Sequence, residues 1–318
     1  MPINMIDRTG ASALVPVPLA NEIFKSVTEA SAVLSLARRL PNMTANTLRL
    51  PIMASLPTAY FVNGDTGTKQ LTSVSWKNKV ITAEEIAVIV PVSENMLADS
   101  AFDIWGQVQP FVVQDFGRAI DAAILFGVNK PSTWPTGIVP GAVAAGNSIS
   151  SGTTANLYGD IMDVDGIISL VEQDGYMVSG YVGGMKLRGM LRGVTDTVGQ
   201  PLFRPGNGMV PNHDPYSLDG QPTVFPRNGS FDQEQALLIG GDWSQIVYSI
   251  RMDLTYRLLT EATLEGGDGS KLNLAQQDSV GLRFVMRLGW ELPNPINPLN
   301  EIEAKRYPFA VLTPEEED

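Results

Sequence analysis

The stretch at positions 101–127, AFDIWGQVQPFVVQDFGRAIDAAILFG, constrains the fold more than any other part of the chain. At 3.6 residues per turn, its apolar side chains fall in one stripe and its polar side chains on the opposite side. The stripe contains Trp105, Val108, Val112, Phe116, Ala119 and Ala123, and the polar side contains Asp103, Gln107, Gln114, Arg118 and Asp121. The sequence therefore predicts one amphipathic helix of about 25 residues, roughly twice the average helix length.

The ends of this helix carry the usual signals. Asp99 and Ser100 precede it, and either side chain can cap the unpaired first amides, while Gly127 can take the left-handed conformation that closes a helix. Pro110 lies inside the pattern and removes one backbone hydrogen bond. Since the apolar stripe keeps its phase across the proline, we expect a kinked helix rather than two separate ones.

Two β-prone segments precede the helix. They flank the polar sequence NGDTGTKQ (63–70) within positions 47–93, which predicts a long two-stranded hairpin. An isolated hairpin is marginally stable in water, and no adjacent segment has the pattern of a third strand. Another copy of the same chain is a natural candidate to cover it.

The remaining segments mix the two periodicities without regular βαβ alternation, so we assign the α+β class. A helix is predicted within 18–40, broken near Ala30 and Ser31 and ending in the basic pair Arg38 and Arg39. Further helices are predicted at 159–173 and 185–192, and strands at 176–184, 236–259, 280–292 and 303–312, with a tight turn near 240–244.

Composition excludes several functions. The formal net charge is −12, from 34 acidic and 22 basic residues, and a negative surface disfavours sequence-specific binding to nucleic acid. The absence of cysteine removes disulfides and thiolate chemistry, and a single histidine disfavours most metal centres. No apolar run approaches the ~18 residues of a membrane span, and the first residues lack the layout of a secretory signal, so we expect folding in a cytoplasm.

The polar clusters have simple structural interpretations. His213 has a neighbouring aspartate but no accompanying nucleophile, so we interpret it as a loop residue. The aspartates 160, 163 and 165 lack the glycine spacing of a calcium loop and fit a solvated helix start. Glu84 and Glu85 lie on the predicted returning strand of the hairpin and point to opposite faces, so they cannot form one acid/base pair. We therefore predict no catalytic, cofactor or metal site.

Three quoted segments together carry a family resemblance: SENMLADSAFDIWGQVQPFVVQDFGRAIDAAILFG, QQDSVGLRFVMRLGWEL and AKRYPFAVL. Their order and spacing resemble the major capsid proteins of tailed bacteriophages, which have the Hong Kong 97-like fold. The resemblance covers nearly the whole chain. It implies an N-terminal arm (1–44), an extended hairpin loop (45–91), a peripheral domain (92–153) with the spine helix at 101–127, an axial domain (154–274), and C-terminal strands that return to the peripheral domain before an acidic tail (275–318).

This resemblance implies a structural protein without enzymatic activity, cofactor or membrane contact. Copies would form hexamers and pentamers of an icosahedral virion head, assembled in the host bacterial cytoplasm, with a portal at one vertex and double-stranded DNA inside. No long charged helical segment precedes the arm, so any scaffold would be a separate protein, as would any decoration protein. The predicted contacts between subunits are Asn63, Asp65, Lys69, Lys77, Lys79, Glu84, Glu85, Arg38 and Arg39.

Two alternatives remain at this point. One is a shell protein of an encapsulin-type compartment, which shares the fold and holds a cargo enzyme. The other is an acidic cytoplasmic hydrolase that uses aspartate or glutamate residues.

Overall fold

A computed structural model describes residues 30–62, 67–95, 104–154, 156–195, 217–266 and 269–315. The helices are α1 (Ala32–Leu36), α2 (Ile104–Leu125), α3 (Ile138–Ala145), α4 (Leu157–Met162), α5 (Ile167–Gln173) and α6 (Met185–Gly193). The strands are β1 (Arg38–Arg39), β2 (Thr47–Met53), β3 (Trp76–Thr82), β4 (Glu84–Ser93), β5 (Ser148–Ser150), β6 (Gly180–Gly183), β7 (Ser217–Leu218), β8 (Gln221–Val224), β9 (Leu238–Gly241), β10 (Val247–Leu259), β11 (Thr263–Glu265), β12 (Lys271–Asn273), β13 (Ser279–Glu291) and β14 (Phe309–Thr313).

The long helix α2 confirms the main prediction. It runs through Pro110 without interruption, and Gly127 has a φ of +73°, the left-handed conformation expected at its end. Val112, Phe116 and Ala123 are buried as the apolar stripe predicts. The proposed caps Asp99 and Ser100 lie outside the described residues, as do Asp103 and the side chains of Trp105 and Gln107.

A four-stranded sheet packs against this helix, in the order β1, β10, β13, β4. Strands β10 and β13 have 13 residues each and pair antiparallel, and β4 pairs antiparallel with β13. Alternate residues of β13, Leu282, Phe284, Met286 and Leu288, share one hydrophobic core with the buried residues of α2. Helix and sheet therefore form one two-layer body, whose opposite sheet face we call the outer face.

One residue of α2 contradicts the helical wheel. Asp121 was predicted on the polar side, but its side chain is 0% exposed. Its carboxylate accepts hydrogen bonds from Ser31 Oγ (2.6 Å), Ala32 N (3.0 Å) and Val33 N (3.2 Å). The prediction was wrong because Asp121 meets the first unpaired amides of α1, which need an acceptor that a wheel of α2 alone does not show.

The second lobe is built on a six-stranded sheet in the order β5, β14, β9, β6, β8, β7. Helices α4, α5 and α6 supply its core with side chains such as Ile161, Ile167 and Leu187. The predicted helix at 159–173 is divided in two by a turn, because Gly166 N donates to Asp163 O (2.8 Å).

Asp160 also differs from its prediction. Instead of lying at a solvated helix start, it is 1% exposed and accepts hydrogen bonds from Gly152 N (2.9 Å) and Thr154 N (2.8 Å). The carboxylate therefore organises the turn after β5. Between β9 and β10 the predicted turn is a single 3-10 turn at Trp243–Gln245, and it carries the chain from one sheet to the other rather than closing a hairpin.

The predicted hairpin is present, but it is shorter than expected. Strands β2 and β3 pair antiparallel from Thr47 opposite Thr82 to Met53 opposite Trp76. Beyond them, single hydrogen bonds such as Ala54 N to Ser75 O (2.8 Å) keep the two chain segments together. The rest of the predicted returning strand is β4, a separate strand of the four-stranded sheet, because Ile86, Val88 and Val90 pack on the core shared with α2. The predicted boundary at 91 falls inside β4.

Candidate assembly surfaces

The base of the hairpin is packed on the outer face of the four-stranded sheet. Ile81 and Ala83 are buried there in a small core with Met43 and Val247. The backbone also approaches closely, since a Cβ atom added to Gly289 of β13 would lie 2.4 Å from Thr82 O. The hairpin therefore leaves the body from a tightly packed base.

The distal half of the hairpin is very different. Phe61 and Leu71 are fully exposed, at 104% and 102% of the reference area. Further exposed apolar side chains lie along the same element: Tyr60, Val62, Val74, Trp76 and Val80. Clustered exposed apolar side chains often mark interaction sites, so we take this half of the hairpin as a candidate contact surface.

Two of the predicted contact lysines are bound within the subunit. Lys77 Nζ donates a hydrogen bond to Glu303 Oε2. Lys79 Nζ lies 3.8 Å from Glu291 Oε1 and 3.8 Å from Glu303 Oε1. Both glutamates are more than 200 positions away along the chain, so no local pattern indicates this ionic cluster.

The surroundings of the two glutamates shift their pKa values in opposite directions. Burial raises the pKa of Glu291, and the attraction of Lys79 opposes that shift. The hydrogen bond from Lys77 is the main reason why the pKa of Glu303 lies below its ordinary value. Glu303 therefore stays charged under mildly acidic conditions, and it holds both lysines.

Glu84 and Glu85 are not on the hairpin, which corrects the prediction. They are the first residues of β4, opposite Leu288 and Arg287 of β13. Glu84 accepts a hydrogen bond from Thr133 Oγ1 (2.6 Å), whereas Glu85 is exposed on the outer face. They do point to opposite faces, as predicted.

Arg38 and Arg39 do not end a helix. They form β1, which pairs parallel with Val247 and Tyr248 of β10, and both side chains are exposed. Helix α1 ends earlier because the backbone of Arg38 is needed by the sheet, where its N–H donates to Ile246 O (2.9 Å).

Of the three remaining predicted contacts, the structure describes only Lys69. Lys69 is exposed and forms no ion pair with any described residue, while Asn63 and Asp65 lie outside the described residues. The described contact residues therefore lie on three elements: the hairpin, the edge strand β4 and the two-residue strand β1. What the sequence did not single out is the apolar, aromatic half of the hairpin.

The polar groups form no recognised centre of chemistry in the part of the chain that the structure describes. No three His, Cys, Asp or Glu side chains are placed there to hold a metal ion, and His213 lies outside that part. Six consecutive residues at 257–262 line a shallow, open groove. Among the described helices, none is long and apolar enough to cross a membrane.

Comparison with known proteins identifies the class of this fold. The chain superposes on a solved structure from Microbacterium phage Oxtober96 with a TM-score of 0.77 and 42% identity, covering 90% of this chain and 91% of that one. A structure from Mycobacterium phage Bobi gives a TM-score of 0.77 at 27% identity, covering 98% and 100% of the two chains. The fold is therefore one used by proteins of bacteriophages.

Sequence comparison gives the family. The model of the phage capsid family matches residues 11–299. The major capsid protein of Staphylococcus phage 80alpha is 24% identical over 270 residues, which are 84% of this chain and 78% of that protein. The chain belongs to the phage capsid family.

Proposed function

We propose that this chain is the major capsid protein of a tailed bacteriophage and that it acts by assembly alone. Copies form the hexamers and pentamers of an icosahedral shell around double-stranded DNA, with a portal at one vertex, and they assemble in the host bacterial cytoplasm. Family membership and the relative from phage 80alpha support this proposal. The single observation that carries the mechanism is the exposed apolar half of the hairpin, which one subunit leaves uncovered.

Burial between copies is the driving force in this mechanism. Transfer of apolar surface out of water contributes roughly 25 cal/mol per Å². Phe61 and Leu71 expose their whole side chains in one subunit, so an identical neighbour that covers them gains that free energy without any change in the folded body. Closed symmetric assemblies repeat such a contact at every subunit.

The domain division is part of the same proposal. The arm at 1–44, the hairpin loop at 45–91 and the tail within 275–318 would be the overlapping parts, and the segments at 92–153 and 154–274 the tiles. Two hydrophobic cores are present. The first joins α2 and the four-stranded sheet with one face of the six-stranded sheet, and the second lies between the other face of the six-stranded sheet and the helices α4, α5 and α6.

The two alternatives have less support. An encapsulin-type shell would share the fold, but the family model and the relatives named above are those of phages. Nothing specific supports an acidic hydrolase. Among the described residues, no three His, Cys, Asp or Glu side chains are placed to hold a catalytic metal ion.

Replacing Phe61 and Leu71 together with serine tests the proposed function. Because both side chains are solvent-exposed in the subunit, we expect its unfolding midpoint to be unchanged. The yield of closed shells should fall at least about tenfold, because the variant buries less apolar area at every contact. Electron microscopy and sedimentation measure the shell yield.

The matched control is Val164→Ser, which removes an 80% exposed apolar side chain from the other lobe. Shells should form normally from this variant. A full yield of shells from the Phe61 and Leu71 variant, or wild-type chain that forms no shells under any assembly condition, would contradict the proposed function.

A further inference from the structure

The connector between the last two strands (residues 294–306) contains no helix or strand, but several side-chain hydrogen bonds hold it together. Arg306 is 2% exposed, and all three guanidinium nitrogens donate hydrogen bonds inside this segment. Nε donates to Asn294 Oδ1 (3.0 Å), Nη2 to Asn294 O (3.0 Å) and Nη1 to Asn300 O (2.7 Å). A rigid planar donor thus joins the beginning, the middle and the end of the connector.

The first residue of the connector completes this interior. Asn294 has a φ of +46°, a left-handed conformation that asparagine tolerates better than most residues. Its Nδ2 donates to Arg306 O (2.8 Å), and its Oδ1 also accepts from Tyr176 OH (2.7 Å). The two ends of the connector are therefore locked to each other and to the second lobe.

A single aspartate fixes the connector further to the second lobe. Asp174, which follows α5, accepts hydrogen bonds from Asn300 Nδ2 (2.8 Å) and Tyr307 N (2.9 Å). Its backbone carbonyl accepts another from Asn297 Nδ2 (2.7 Å). Asp174 is itself only 6% exposed, so the loss of these partners would leave a buried acceptor unpaired, which is costly.

The opposite side of the connector reaches the hairpin. Glu303 binds Lys77 and lies within 4 Å of Lys79, and Lys79 also faces the nearly buried Glu291 at the end of β13. An isolated exposed ion pair contributes little to stability. Here two lysines share two glutamates, and one of the glutamates, Glu291, is nearly buried. A network of this kind contributes more to stability than a single exposed pair does.

We propose that the connector is a bracket that holds the hairpin at one angle to the body, through the contacts of Glu303 with Lys77 and Lys79. Charged side chains assigned by sequence to contacts between subunits thus act first within one subunit. As a consequence, each copy presents its apolar hairpin to a neighbour in a preset direction. This consequence rests on the proposed function, whereas the bracket itself does not.

The bracket can be tested in the unassembled full-length chain. The absence of native cysteine allows spin labels to be placed at cysteines introduced for Ser73 on the hairpin and Gln114 on α2, both exposed. Glu303→Lys repels both lysines and removes the ionic contacts between the connector and the hairpin. Because the hairpin can then take a wider range of angles to the body, we expect the distribution of label distances to widen about twofold. The charge-swapped pair Lys77→Glu with Glu303→Lys should restore most of the wild-type distribution.

Lys69→Glu is the matched control for the Lys77→Glu half of the swap, because it makes the same charge change on the same hairpin at a lysine that forms no ion pair with any described residue. It should leave the distance distribution unchanged. Glu303 is partly exposed, so its variants are expected to fold. The bracket is disproved if Glu303→Lys leaves the distribution as it is in the wild type, or if Lys69→Glu widens it as much as Glu303→Lys does. Neither result depends on whether shells form.

Discussion

Gly289→Ala is expected to destabilise the chain by about 3 kcal/mol, the upper part of the range for overpacked interiors. The added methyl group would lie 2.4 Å from Thr82 O and 2.7 Å from the Cγ2 atom of Ile81. Thr82 O is a backbone atom of the hairpin strand β3, which packs on β13, so it cannot turn aside as the end of a side chain can. The base of the hairpin must therefore move away from the sheet, which opens the small core around Ile81 and Val247.

Gly281→Ala provides the control in the same strand and on the same face. Its added methyl group would meet its nearest neighbours at 3.5 Å to 3.7 Å, which is ordinary van der Waals contact. Because alanine also restricts the unfolded chain, this variant should be neutral or more stable by up to about 1 kcal/mol. Urea unfolding of the unassembled variants measures both effects, and equal midpoints would show that the hairpin base is not tightly packed on β13.

Asp121→Ala is expected to cost about 3 kcal/mol and to release the segment that begins at Ala30. The substitution leaves Ser31 Oγ and the amides of Ala32 and Val33 without an acceptor, and each buried unpaired group costs about 1–3 kcal/mol. The variant no longer buries a charged carboxylate, and this gain in free energy offsets part of the cost of the unpaired groups. Faster hydrogen exchange at Ala32 and Val33 should accompany the loss.

The control for this substitution is Asp115→Ala on the same helix. Asp115 is exposed and pairs with Arg118 at the surface, so its removal should cost no more than about 0.5 kcal/mol. An equal loss of stability in both variants would show that the aspartates of α2 contribute only through the helix itself and not through a bond to α1.

The pH dependence of Asp121→Asn provides a separate test. Burial raises the pKa of Asp121 above its ordinary value of 3.8, so the folded chain binds this proton more readily than the unfolded chain does. Ionisation of Asp121 therefore costs stability, and that cost disappears as the pH falls through the folded pKa towards 3.8. The wild type should gain stability relative to Asp121→Asn over this window, and unfolding midpoints measured against pH would show a constant difference if the carboxylate were not buried.

Sequence periodicity predicted the helices and strands that have one buried and one exposed face. The apolar stripe of α2 and the strand pattern of β13 follow directly from burial on one side, and both are present within a few residues of their expected ends. The family could be predicted as well, because the order and spacing of the quoted segments along the chain resemble those of phage capsid proteins, and the family model matches residues 11–299.

Contacts between distant segments could not be predicted in this way. Asp121 has the spacing of an exposed residue, and only its proximity to α1, some 90 positions earlier, explains its burial. Lys77 and Lys79 have the pattern of exposed strand residues, and nothing near them indicates Glu291 or Glu303. Likewise, β4 continues the β-prone run of β3 without a break in pattern, although the two strands belong to different sheets.

The position of β14 has a consequence for synthesis of the protein. This last strand lies between β5 and β9 in the middle of its sheet, and Phe309, Val311 and Leu312 are fully buried. The second lobe therefore lacks one of its interior strands until residues 309–313 have been synthesised. Until then β5 and β9 lack the partner that lies between them, so this lobe can close only after β14 has left the ribosome.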